Sequence, residues 1–396
     1  MLAACGGGGG GGGSPNPPST PPVFRASWTL AQQDLTEGLP GQPHIPPTIV
    51  ADTTIRQVAR LSMGGDALRV RLSNRFGTAP ATFTSVRVAR STGGASIDAA
   101  SDRAVTFGGS TMVSIPPGAE VTSDSVSLAP AALADIAVSI YIAPPTPLVT
   151  GHKSTTVTSL SGPGNTVSTA AMGGTTSTNL YWLAGIDVAV AEPVNVVVAF
   201  GDSLTDGSQS TPGAHASYPE QLAARVSASR IAVVNAGIGG NRWLQDNPGP
   251  AGITRFDHDV LEVPGVTHAI VQLGINDFQT ARDFGLPPVT ADALIAAAGQ
   301  AISRARARNV KVLLGTLLPY KGARLFNAED EAQRQAYNAW VRGNRDAAAI
   351  VDFDAALRDP GDPQSLAAQY SSPDHIHPND AGYAAMAALV DVNTLR

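Results

Sequence analysis

Residues 194–207 read Val-Asn-Val-Val-Val-Ala-Phe-Gly-Asp-Ser-Leu-Thr-Asp-Gly. The run of β-branched residues is typical of a buried strand, and Gly201 and Gly207 let the chain turn sharply where that strand leaves the core. Open α/β sheets bind their ligands at such strand ends. Ser203, within this turn, is therefore a candidate nucleophile, although a serine after a strand is more often an ordinary helix cap.

The sequence that follows Pro193 alternates apolar strands with longer amphipathic stretches, which is the pattern of βα units around a parallel sheet. In the longest stretch, Leu294, Ala298 and Ile302 fall on one helical face. Strands are predicted at 194–200, 231–236, 267–273, 309–317 and 349–353, and helices at 217–229, 290–308, 328–346 and 379–391, with a shorter one after Thr254.

The sequence before this region, residues 22–192, is rich in Ser, Thr, Val and Gly and has short alternating runs separated by turns. Such runs predict an all-β sandwich in which each strand buries one face. The two clearest runs are Leu68-Arg69-Val70-Arg71-Leu72-Ser73 and Ile136-Ala137-Val138-Ser139-Ile140-Tyr141-Ile142. Further strands are predicted at 54–63, 83–91, 103–108, 111–115, 121–128 and 181–190.

The overall composition limits the functions that the chain can have. Its 396 residues, 43% of them hydrophobic, are enough for two domains, divided here into 22–192 and 193–396. The net charge is −6 and the basic residues form no run, so the sequence predicts no nucleic-acid partner. No apolar stretch approaches the roughly 20 residues that a membrane-spanning helix needs.

The first 21 residues suggest attachment to a membrane by a lipid. Leu2-Ala3-Ala4-Cys5 matches the bacterial lipobox, and the eight glycines and the Ser-Pro-Asn-Pro-Pro segment that follow predict a flexible tether. The alternative is a chance match before a low-complexity tail, since the charged and apolar parts of a signal peptide are absent. Cys5 is the single cysteine, so no intrachain disulfide is possible.

Four clusters of polar and glycine residues follow strand ends or precede the last helix of the second region. Their order raises Ser203 above a chance four-residue match. They are Gly201-Asp202-Ser203-Leu204, Asn235-Ala236-Gly237-Ile238-Gly239-Gly240-Asn241, Gly274-Ile275-Asn276-Asp277 and Asp374-His375-Ile376-His377-Pro378.

With these four blocks the chain resembles the SGNH hydrolases, also called the GDSL esterase and lipase family, over residues 194–392. The resemblance implies a flavodoxin-like three-layer α/β/α domain with a parallel sheet and Ser203 as its nucleophile. It further implies that His377 and Asp374 complete a catalytic triad, and that Gly240 and Asn276 form the oxyanion hole together with Ser203.

Two of these assignments leave an alternative open. The family spacing counted from Asn235 selects Gly240, but the adjacent Gly239 could be the oxyanion donor instead. His375 competes with His377 for the role of base, and the family spacing Asp-x-x-His-Pro favours His377.

The chemistry also follows from the residue types. A serine hydroxyl needs a base within about 2.6 to 3.2 Å to act as a nucleophile, and His377 could supply it. Asp374, three residues earlier, would then fix the imidazole tautomer and stabilise its charged form. A glycine N–H and the Asn276 amide are donors that suit an oxyanion. Taken alone, however, Asp374 could cap a helix and Asn276 could be a turn residue.

The remaining polar residues receive less specific interpretations. Asp202 and Asp277 are expected to bond loop backbone. The sequence contains no His-x-x-x-His pair with a nearby acid, so it predicts no metal and no cofactor. Residues without a partner pattern, interpreted as structural or surface groups, are His44, His152, His215, His258 and His268.

Two aromatic–cation pairs follow strand ends and could bind substrate. Arg242 and Trp243 come directly after the oxyanion loop, and Tyr320 and Lys321 come after the fourth strand. An aromatic ring beside a cation suits a sugar or an aryl ester, although either pair could equally be rim packing.

Residues 54–92 resemble the N-terminal half of secreted two-domain bacterial members of the same family, which implies a jelly-roll-like module found in esterases of carbohydrate acyl groups. The alternative is that this module only stabilises the fold or shapes the rim of the site. The sequence therefore predicts an extracytoplasmic serine esterase, a cell-envelope lipoprotein or a secreted protein, that removes short acyl groups such as acetyl from carbohydrate or small esters. Alternatives are a lipase, arylesterase or thioesterase with the same machinery, or a surface glycan-binding protein with an inactive hydrolase domain.

Overall fold

The computed structural model describes residue 1 and residues 22–38, 41–153, 156–281 and 283–396. The lipobox-like segment with Cys5 and the predicted tether lie outside the described residues. Among the helices of the described residues, none has the length and apolar character that crossing a membrane requires.

The N-terminal region, as far as residue 190, consists of short strands, which confirms the sheet-rich architecture predicted for it. These strands are β1 (Val23–Thr29), β2 (Gln33–Asp34), β3 (Ile49–Val50), β4 (Thr53–Arg60), β5 (Leu68–Ser73), β6 (Ala81–Phe83), β7 (Ser85–Gly93), β8 (Ser96–Ile97), β9 (Arg103–Val105), β10 (Val113–Ile115), β11 (Glu120–Thr122), β12 (Asp135–Ile142), β13 (Thr146–Pro147), β14 (Thr150–Lys153), β15 (Ser159–Pro163), β16 (Thr175–Ser177), β17 (Asn179–Tyr181) and β18 (Leu183–Val190).

Two larger antiparallel sheets dominate this region. One has the strand order β1-β18-β5-β11, and the other has the order β16-β15-β4-β12-β7-β8 with β9 paired to β7. A smaller sheet has the order β17-β14-β2. Side chains of both larger sheets, such as Val70 and Ile140, belong to the same buried apolar cluster. The jelly-roll topology of this layered region stays a prediction.

The alternating pattern correctly identifies the buried face of β5, but in β12 it identifies only one of two buried faces. In β5 the apolar positions Leu68, Val70 and Leu72 are buried, as expected. In β12 the residues Ala137 and Ser139, predicted to face outward, are buried too. The buried side chain of Arg56 packs on this face and donates to Ser139 Oγ at 2.8 Å. The expectation of a single buried face is therefore wrong for β12.

The C-terminal region is built around five parallel strands in the order β20-β19-β21-β22-β23, the flavodoxin-like arrangement implied by the family resemblance. The predicted elements agree with the observed ones to within a few residues. The strands are β19 (Asn195–Gly201), β20 (Ile231–Gly237), β21 (Val266–Gln272), β22 (Lys311–Gly315) and β23 (Ala349–Val351), and the helices are α1 (Ser203–Asp206), α2 (Tyr218–Val226), α3 (Gly252–Phe256), α4 (Ile275–Thr280), α5 (Ala291–Ala307), α6 (Ala328–Gly343), α7 (Phe353–Leu357) and α8 (Asp380–Leu389).

Alternate residues of β19 face opposite layers of this region. Val198 and Phe200 pack in the cluster that contains the apolar face of α5, whereas Val197 and Ala199 pack in the cluster that contains α2 and α8. Because both faces of the sheet are covered, its strands read as continuous apolar runs. The result is a three-layer α/β/α architecture with Ser203 at the carboxyl end of a central strand.

The two regions share one apolar core across the boundary predicted at residues 192 and 193. The cluster that holds Val70 of β5 also holds Phe200 of β19. The N-terminal region also bonds directly to β20, the outer strand of the parallel sheet: Ser62 Oγ accepts the N–H of Val233 at 2.7 Å and Thr29 Oγ1 donates to Asn235 O at 2.9 Å. The division into two domains stays a prediction, because the core does not stop at that boundary.

Candidate active site

Ser203 is the first residue of α1 and follows β19 after the single residue Asp202. The Asp202 carboxylate caps α1 by accepting the N–H of Leu204 at 3.0 Å. Position 201, just before Asp202, has to be glycine, because a Cβ on Gly201 would lie 2.1 Å from Thr205 Oγ1 and 2.4 Å from Gln272 O. The tight turn expected from the sequence therefore fixes the position of Ser203 at the edge of the sheet.

The structure brings Ser203, His377 and Asp374 into one line of hydrogen bonds. His377 Nε2 lies 2.8 Å from Ser203 Oγ, and His377 Nδ1 lies 2.7 Å from Asp374 Oδ2. His377 and Asp374 belong to the segment before α8, 174 residues from Ser203 along the chain. A base in contact with the hydroxyl, and an acid in contact with the base, form the arrangement that activates a serine.

The carboxylate of Asp374 accepts several hydrogen bonds besides that of His377. Its Oδ1 accepts Ser372 Oγ at 2.7 Å and the backbone N–H groups of Ile376 and His377 at 3.0 Å. Burial raises the pKa of Asp374, but these hydrogen bonds lower it by more, so its pKa lies well below the usual range. Asp374 therefore stays ionised beside His377 at any pH at which an esterase works.

The rival base, His375, lies elsewhere in the same turn. Its backbone has a positive φ of 60°, and its side chain packs against Gly322, where a Cβ would lie 3.0 Å from the His375 Cγ atom. The structure thus places His377, and not His375, against the Ser203 hydroxyl.

Asn276 lies near the start of α4, just after β21, with both ends of its amide bonded. Its Nδ2 donates to Asn241 O at 3.0 Å, and its Oδ1 accepts the Nε2 group of Gln279 at 2.9 Å. An amide nitrogen carries two hydrogens, so a second N–H of Asn276 is available to a ligand. Gln279 was not singled out in the sequence, although its position three residues after Asn276 on one helix places the two side chains together.

The glycine-rich loop after β20 reaches Asn276 through Asn241. Gly240, which precedes Asn241, has a φ of +74°, a conformation that favours glycine, whereas a Cβ on Gly239 would meet nothing within 4 Å. The bond from Asn276 Nδ2 to Asn241 O ties the Asn276 amide to the residue that follows Gly240 in this loop.

Asp202 and Asp277 organise turns, as expected from the sequence. The Asp277 carboxylate accepts the backbone N–H groups of Trp243 and Leu244 at 2.8 and 3.1 Å and thereby joins α4 to the glycine-rich loop. Burial raises the pKa of Asp202 and that of Asp277 to about 7. Because neither contacts the Ser203 hydroxyl in the structure, these two carboxyls support loops that carry the site.

The expectation that two aromatic rings line a substrate pocket is wrong. Trp243 and Tyr320 are fully buried. Trp243 Nε1 donates to Leu273 O at 2.9 Å, and the centroid of the Tyr320 ring lies 5.3 Å from that of Phe326. Arg242 is also buried, and its guanidinium bonds Gln245 and Asp246 of its own loop.

The fourth residue of that set, Lys321, is exposed. It forms a 2.8 Å ion pair with Asp362. Of the four predicted substrate contacts, Lys321 is therefore the one whose charged group reaches the surface.

Two buried residues near the site lie outside the four blocks: His152, interpreted from the sequence as a structural or surface residue, and Arg255, which the sequence analysis did not single out. His152 of β14 contacts Asp206 at the other end of α1, with its Nε2 at 3.1 Å from Asp206 Oδ1. Arg255 of α3 donates to Gly201 O at 2.7 Å, two residues before Ser203. The described residues contain no group of three or more His, Cys, Asp or Glu side chains that could hold a metal ion.

A parallel α/β sheet with a hydroxyl, an imidazole and a carboxylate in one hydrogen-bonded line at its carboxyl edge is the arrangement of a serine hydrolase, and the family match of residues 197–390 makes the chain a carboxylic ester hydrolase. Residues 197–390 match the family model described as GDSL-like Lipase/Acylhydrolase, and this region of the chain belongs to that family.

Several solved structures are similar to the C-terminal half. A G-D-S-L family protein from Desulfitobacterium hafniense is 25% identical, with 49% of this chain and 96% of that chain covered and a TM-score of 0.38. A GDSL-like lipase from Bacteroides thetaiotaomicron is 20% identical, with 52% and 91% covered and a TM-score of 0.39. A carbohydrate acetylesterase from Sinorhizobium meliloti is 16% identical, with 49% and 94% covered and a TM-score of 0.39. The comparison with curated proteins returned no match.

Proposed function

We propose that this chain is a serine esterase that removes short acyl groups, acetyl first among them, from carbohydrate or small ester substrates. The observation that carries the proposal is the hydrogen-bonded line from Ser203 Oγ through His377 to Asp374, with distances of 2.8 and 2.7 Å. This line supplies a nucleophile, a base and an orienting acid at one point of the surface.

The reaction begins when His377 Nε2 takes the proton of Ser203 and Ser203 Oγ attacks the ester carbonyl carbon. The negative charge that develops on the carbonyl oxygen is stabilised by the N–H of Gly240, the free N–H of Asn276 and the N–H of Ser203. Collapse of this tetrahedral species breaks the ester C–O bond, and His377 gives its proton to the departing alcohol oxygen. An acyl group remains on Ser203.

The second half of the reaction repeats these roles with water. His377 takes a proton from a water molecule, whose oxygen attacks the acyl carbon. Collapse then releases the carboxylic acid and returns the proton to Ser203. Asp374 keeps a proton on His377 Nδ1, which leaves Nε2 free to act on the serine and on water.

The burial of the site supports a short acyl group. Ser203 is 9% exposed and Asn276 is 5% exposed, so a substrate reaches them only with a slender ester group. An acetyl group meets this requirement with one methyl, whereas a long chain needs an apolar surface many carbons long.

The rim near His375 supports a hydrophilic alcohol. The Gly322 loop, which packs against His375, carries the exposed Lys321–Asp362 pair and the Arg324–Asp283 pair, with distances of 2.8 and 2.7 Å. Exposed charged and hydrogen-bonding groups suit the hydroxyls of a sugar better than an apolar tail.

The test compares wild-type protein with Ser203→Ala on p-nitrophenyl acetate, butyrate and palmitate and on acetylated xylan. We expect kcat/KM to be highest for acetate, and Ser203→Ala to lower it by about 10⁴-fold or more. Ser227→Ala, a matched change at the end of α2, should keep the wild-type rate. Equal rates in wild type and Ser203→Ala would contradict the serine mechanism, and activity on palmitate alone would indicate a lipase.

We also propose that the protein works outside the cytoplasm, held at a membrane by a lipid on Cys5. The support is the lipobox-like sequence before a glycine-rich segment. Metabolic labelling with a palmitate analogue, using a gene with a longer 5′ start, should label wild-type protein and leave Cys5→Ser unlabelled. Equal labelling, or none, in the two proteins would contradict the anchor.

A further inference from the structure

We propose that Arg255 is a positioning residue for the reaction: its single guanidinium fixes the spacing between the turn that carries Ser203 and the loop that carries the oxyanion donors. This inference rests on the proposed serine mechanism. It assigns a role to a residue that lies outside the four sequence blocks, in the short helix α3.

The guanidinium of Arg255 bonds the ends of two neighbouring strands. It is buried, and its Nη2 donates to Gly201 O at 2.7 Å while its Nη1 donates to Ala236 O at 2.8 Å. Gly201 ends β19 two residues before Ser203, and Ala236 is the penultimate residue of β20, which leads into the glycine-rich loop. One planar, rigid group thus bonds the ends of two strands that pair in the sheet and is itself held in one orientation beside the loops that follow them.

The same guanidinium reaches the oxyanion loop through Asn241. Arg255 Nε donates to Asn241 Oδ1 at 2.9 Å, and Asn241 O accepts the Asn276 amide at 3.0 Å. Asn241 Nδ2 is held in turn by Pro248 O and Pro250 O, at 2.8 and 2.9 Å. Arg255 therefore bonds, directly or through one residue, the segments of all three groups proposed to stabilise the reacting ester.

The positive charge of Arg255 is balanced by a chain of groups that ends in the N-terminal region. Arg255 Nη1 lies 2.9 Å from Asp259 Oδ2, and Asp259 Oδ1 lies 2.6 Å from His258 Nδ1. His258 Nε2 lies 3.2 Å from Glu120 Oε1 of β11, and Arg75 of the same region approaches Asp259 at 3.9 Å. The N-terminal region thus contacts, through Glu120 and Arg75, the His258–Asp259 pair that supplies the counter-ion of Arg255.

Arg334 provides a matched control for a buried arginine without this placement. Its guanidinium bonds Glu331 at 2.7 Å, Asp354 at 3.0 Å and Leu317 O at 2.8 Å. None of these three partners lies in the described segments that carry Ser203, Gly240 or Asn276. A loss that comes only from breaking a buried ion pair should therefore appear equally in Arg334 and Arg255 variants.

The experiment compares Arg255→Lys with Arg334→Lys in the full chain. Lysine keeps the charge but has no planar fork, so it cannot bond Gly201 O, Ala236 O and Asn241 Oδ1 together. For Arg255→Lys we expect kcat on p-nitrophenyl acetate to fall about 10- to 100-fold with KM changed less than about threefold, and the rate of Ser203 labelling by a fluorophosphonate to fall in parallel. Arg334→Lys should keep kcat within about twofold while its melting temperature falls.

Wild-type kcat in folded Arg255→Lys, or the same loss of kcat in Arg334→Lys, would overturn the proposal. If Arg255→Lys does not fold, Glu120→Gln decides: we expect kcat to fall about two- to fivefold at unchanged KM, and an unchanged kcat would overturn the proposal. Failure of the serine mechanism itself looks different, because Ser203→Ala would then be as active as wild type whatever the arginine variants do.

Discussion

Two histidine–carboxylate pairs lie at opposite ends of the short helix α1. At its first residue, His377 Nε2 contacts Ser203 Oγ at 2.8 Å while its Nδ1 faces Asp374. At its last residue, Asp206 Oδ1 lies 3.1 Å from Nε2 of His152, whose Nδ1 faces Ala31 O at 2.8 Å. An imidazole–carboxylate pair therefore contacts each end of this four-residue helix.

The difference between the pairs lies in the third group and in access. A carbonyl and a carboxylate only accept hydrogen bonds, so the two partners of His152 favour the form of its ring with a hydrogen on each nitrogen. Burial lowers the pKa of His152, but the charge of Asp206 raises it by more, so its pKa lies above the usual value. His377 instead faces a hydroxyl, which both donates and accepts, and its side chain is 18% exposed against 0% for His152. Within the described part of the chain, His152 therefore has neither a hydrogen-bonded hydroxyl nor access for a substrate, whereas His377 has both.

His377→Gln is the strongest test of this comparison. Glutamine cannot take the Ser203 proton, so we expect kcat/KM on p-nitrophenyl acetate to fall about 10⁴-fold or more. The melting temperature should stay close to wild type, because the His377 side chain is partly exposed. Activity within tenfold of wild type would show that another group is the base.

Asp374→Asn should have the next largest effect. The amide would stabilise the wrong imidazole tautomer, so we expect kcat to fall by about 10² to 10⁴. Because the folded pKa of Asp374 is depressed, its stabilising contribution is present above the unfolded value of about 3.9 and is lost as the pH falls toward the folded value. Urea unfolding of wild type and Asp374→Asn at several values of pH between 5 and 2.5 measures this loss: stability should fall more steeply in wild type, and equal slopes would contradict the depressed pKa.

His152→Gln should separate stability from chemistry. Loss of the buried imidazolium leaves the Asp206 carboxylate without a charged partner, so we expect the free energy of unfolding to fall by about 2 to 4 kcal/mol while kcat falls less than about tenfold. Urea unfolding and p-nitrophenyl acetate turnover measure the two quantities. His44→Gln, a change in an exposed pair with Asp34, is the matched control and should cost less than about 0.5 kcal/mol.

A loss of activity in His152→Gln as large as that in His377→Gln would break the comparison. It would mean that the Asp206 end of α1 takes part in the chemistry rather than holding the helix in place.

His258, which joins α3 to the N-terminal region, should give the smallest effect. Burial lowers the pKa of His258, but hydrogen bonds and charges from Asp259 and Glu120 raise it to about 9. Its contribution to stability is therefore complete below the unfolded value of about 6.5 and is lost as the pH rises to about 9. We expect the loss to be on the order of 1 to 2 kcal/mol, reduced by the 28% exposure of the side chain.

Unfolding in urea at several values of pH between 6 and 9.5 measures this loss. The fall in stability should be smaller in His258→Gln than in wild type and in His44→Gln. The same slope in all three proteins would contradict the raised pKa of His258.

The sequence could predict the parts of this molecule that depend on local patterns. The strand before Ser203 and the amphipathic helix with Leu294, Ala298 and Ile302 were placed correctly because periodicity reports burial directly. Asp374 and His377 were assigned because their Asp-x-x-His-Pro spacing resembles that of the family, and this spacing also keeps them on one turn.

Other features depend on contacts between distant parts of the chain. His152 and Asp206 are 54 residues apart, and the bonds from Arg255 to the two strand ends go to backbone carbonyls, which leave no mark on residue types. Trp243 and Tyr320 were misplaced for a related reason: an aromatic ring with a polar end suits a buried position with one hydrogen bond as well as a rim. The second buried face of β12 likewise could not be predicted from its own residues, because its burial depends on which other residues cover it.

The contact of Ser62 and Thr29 with β20 has a consequence for any attempt to shorten the protein. An outer strand with free N–H and C=O groups is a template on which other chains can pair. Ser62 occupies the N–H of Val233 and Thr29 occupies the carbonyl of Asn235. We expect a fragment that begins at residue 193 to expose this strand and the apolar side chains beside it, and to self-associate more than the full chain does. Size-exclusion chromatography at several protein concentrations measures this, and equal behaviour of fragment and full chain would show that β20 needs no cover.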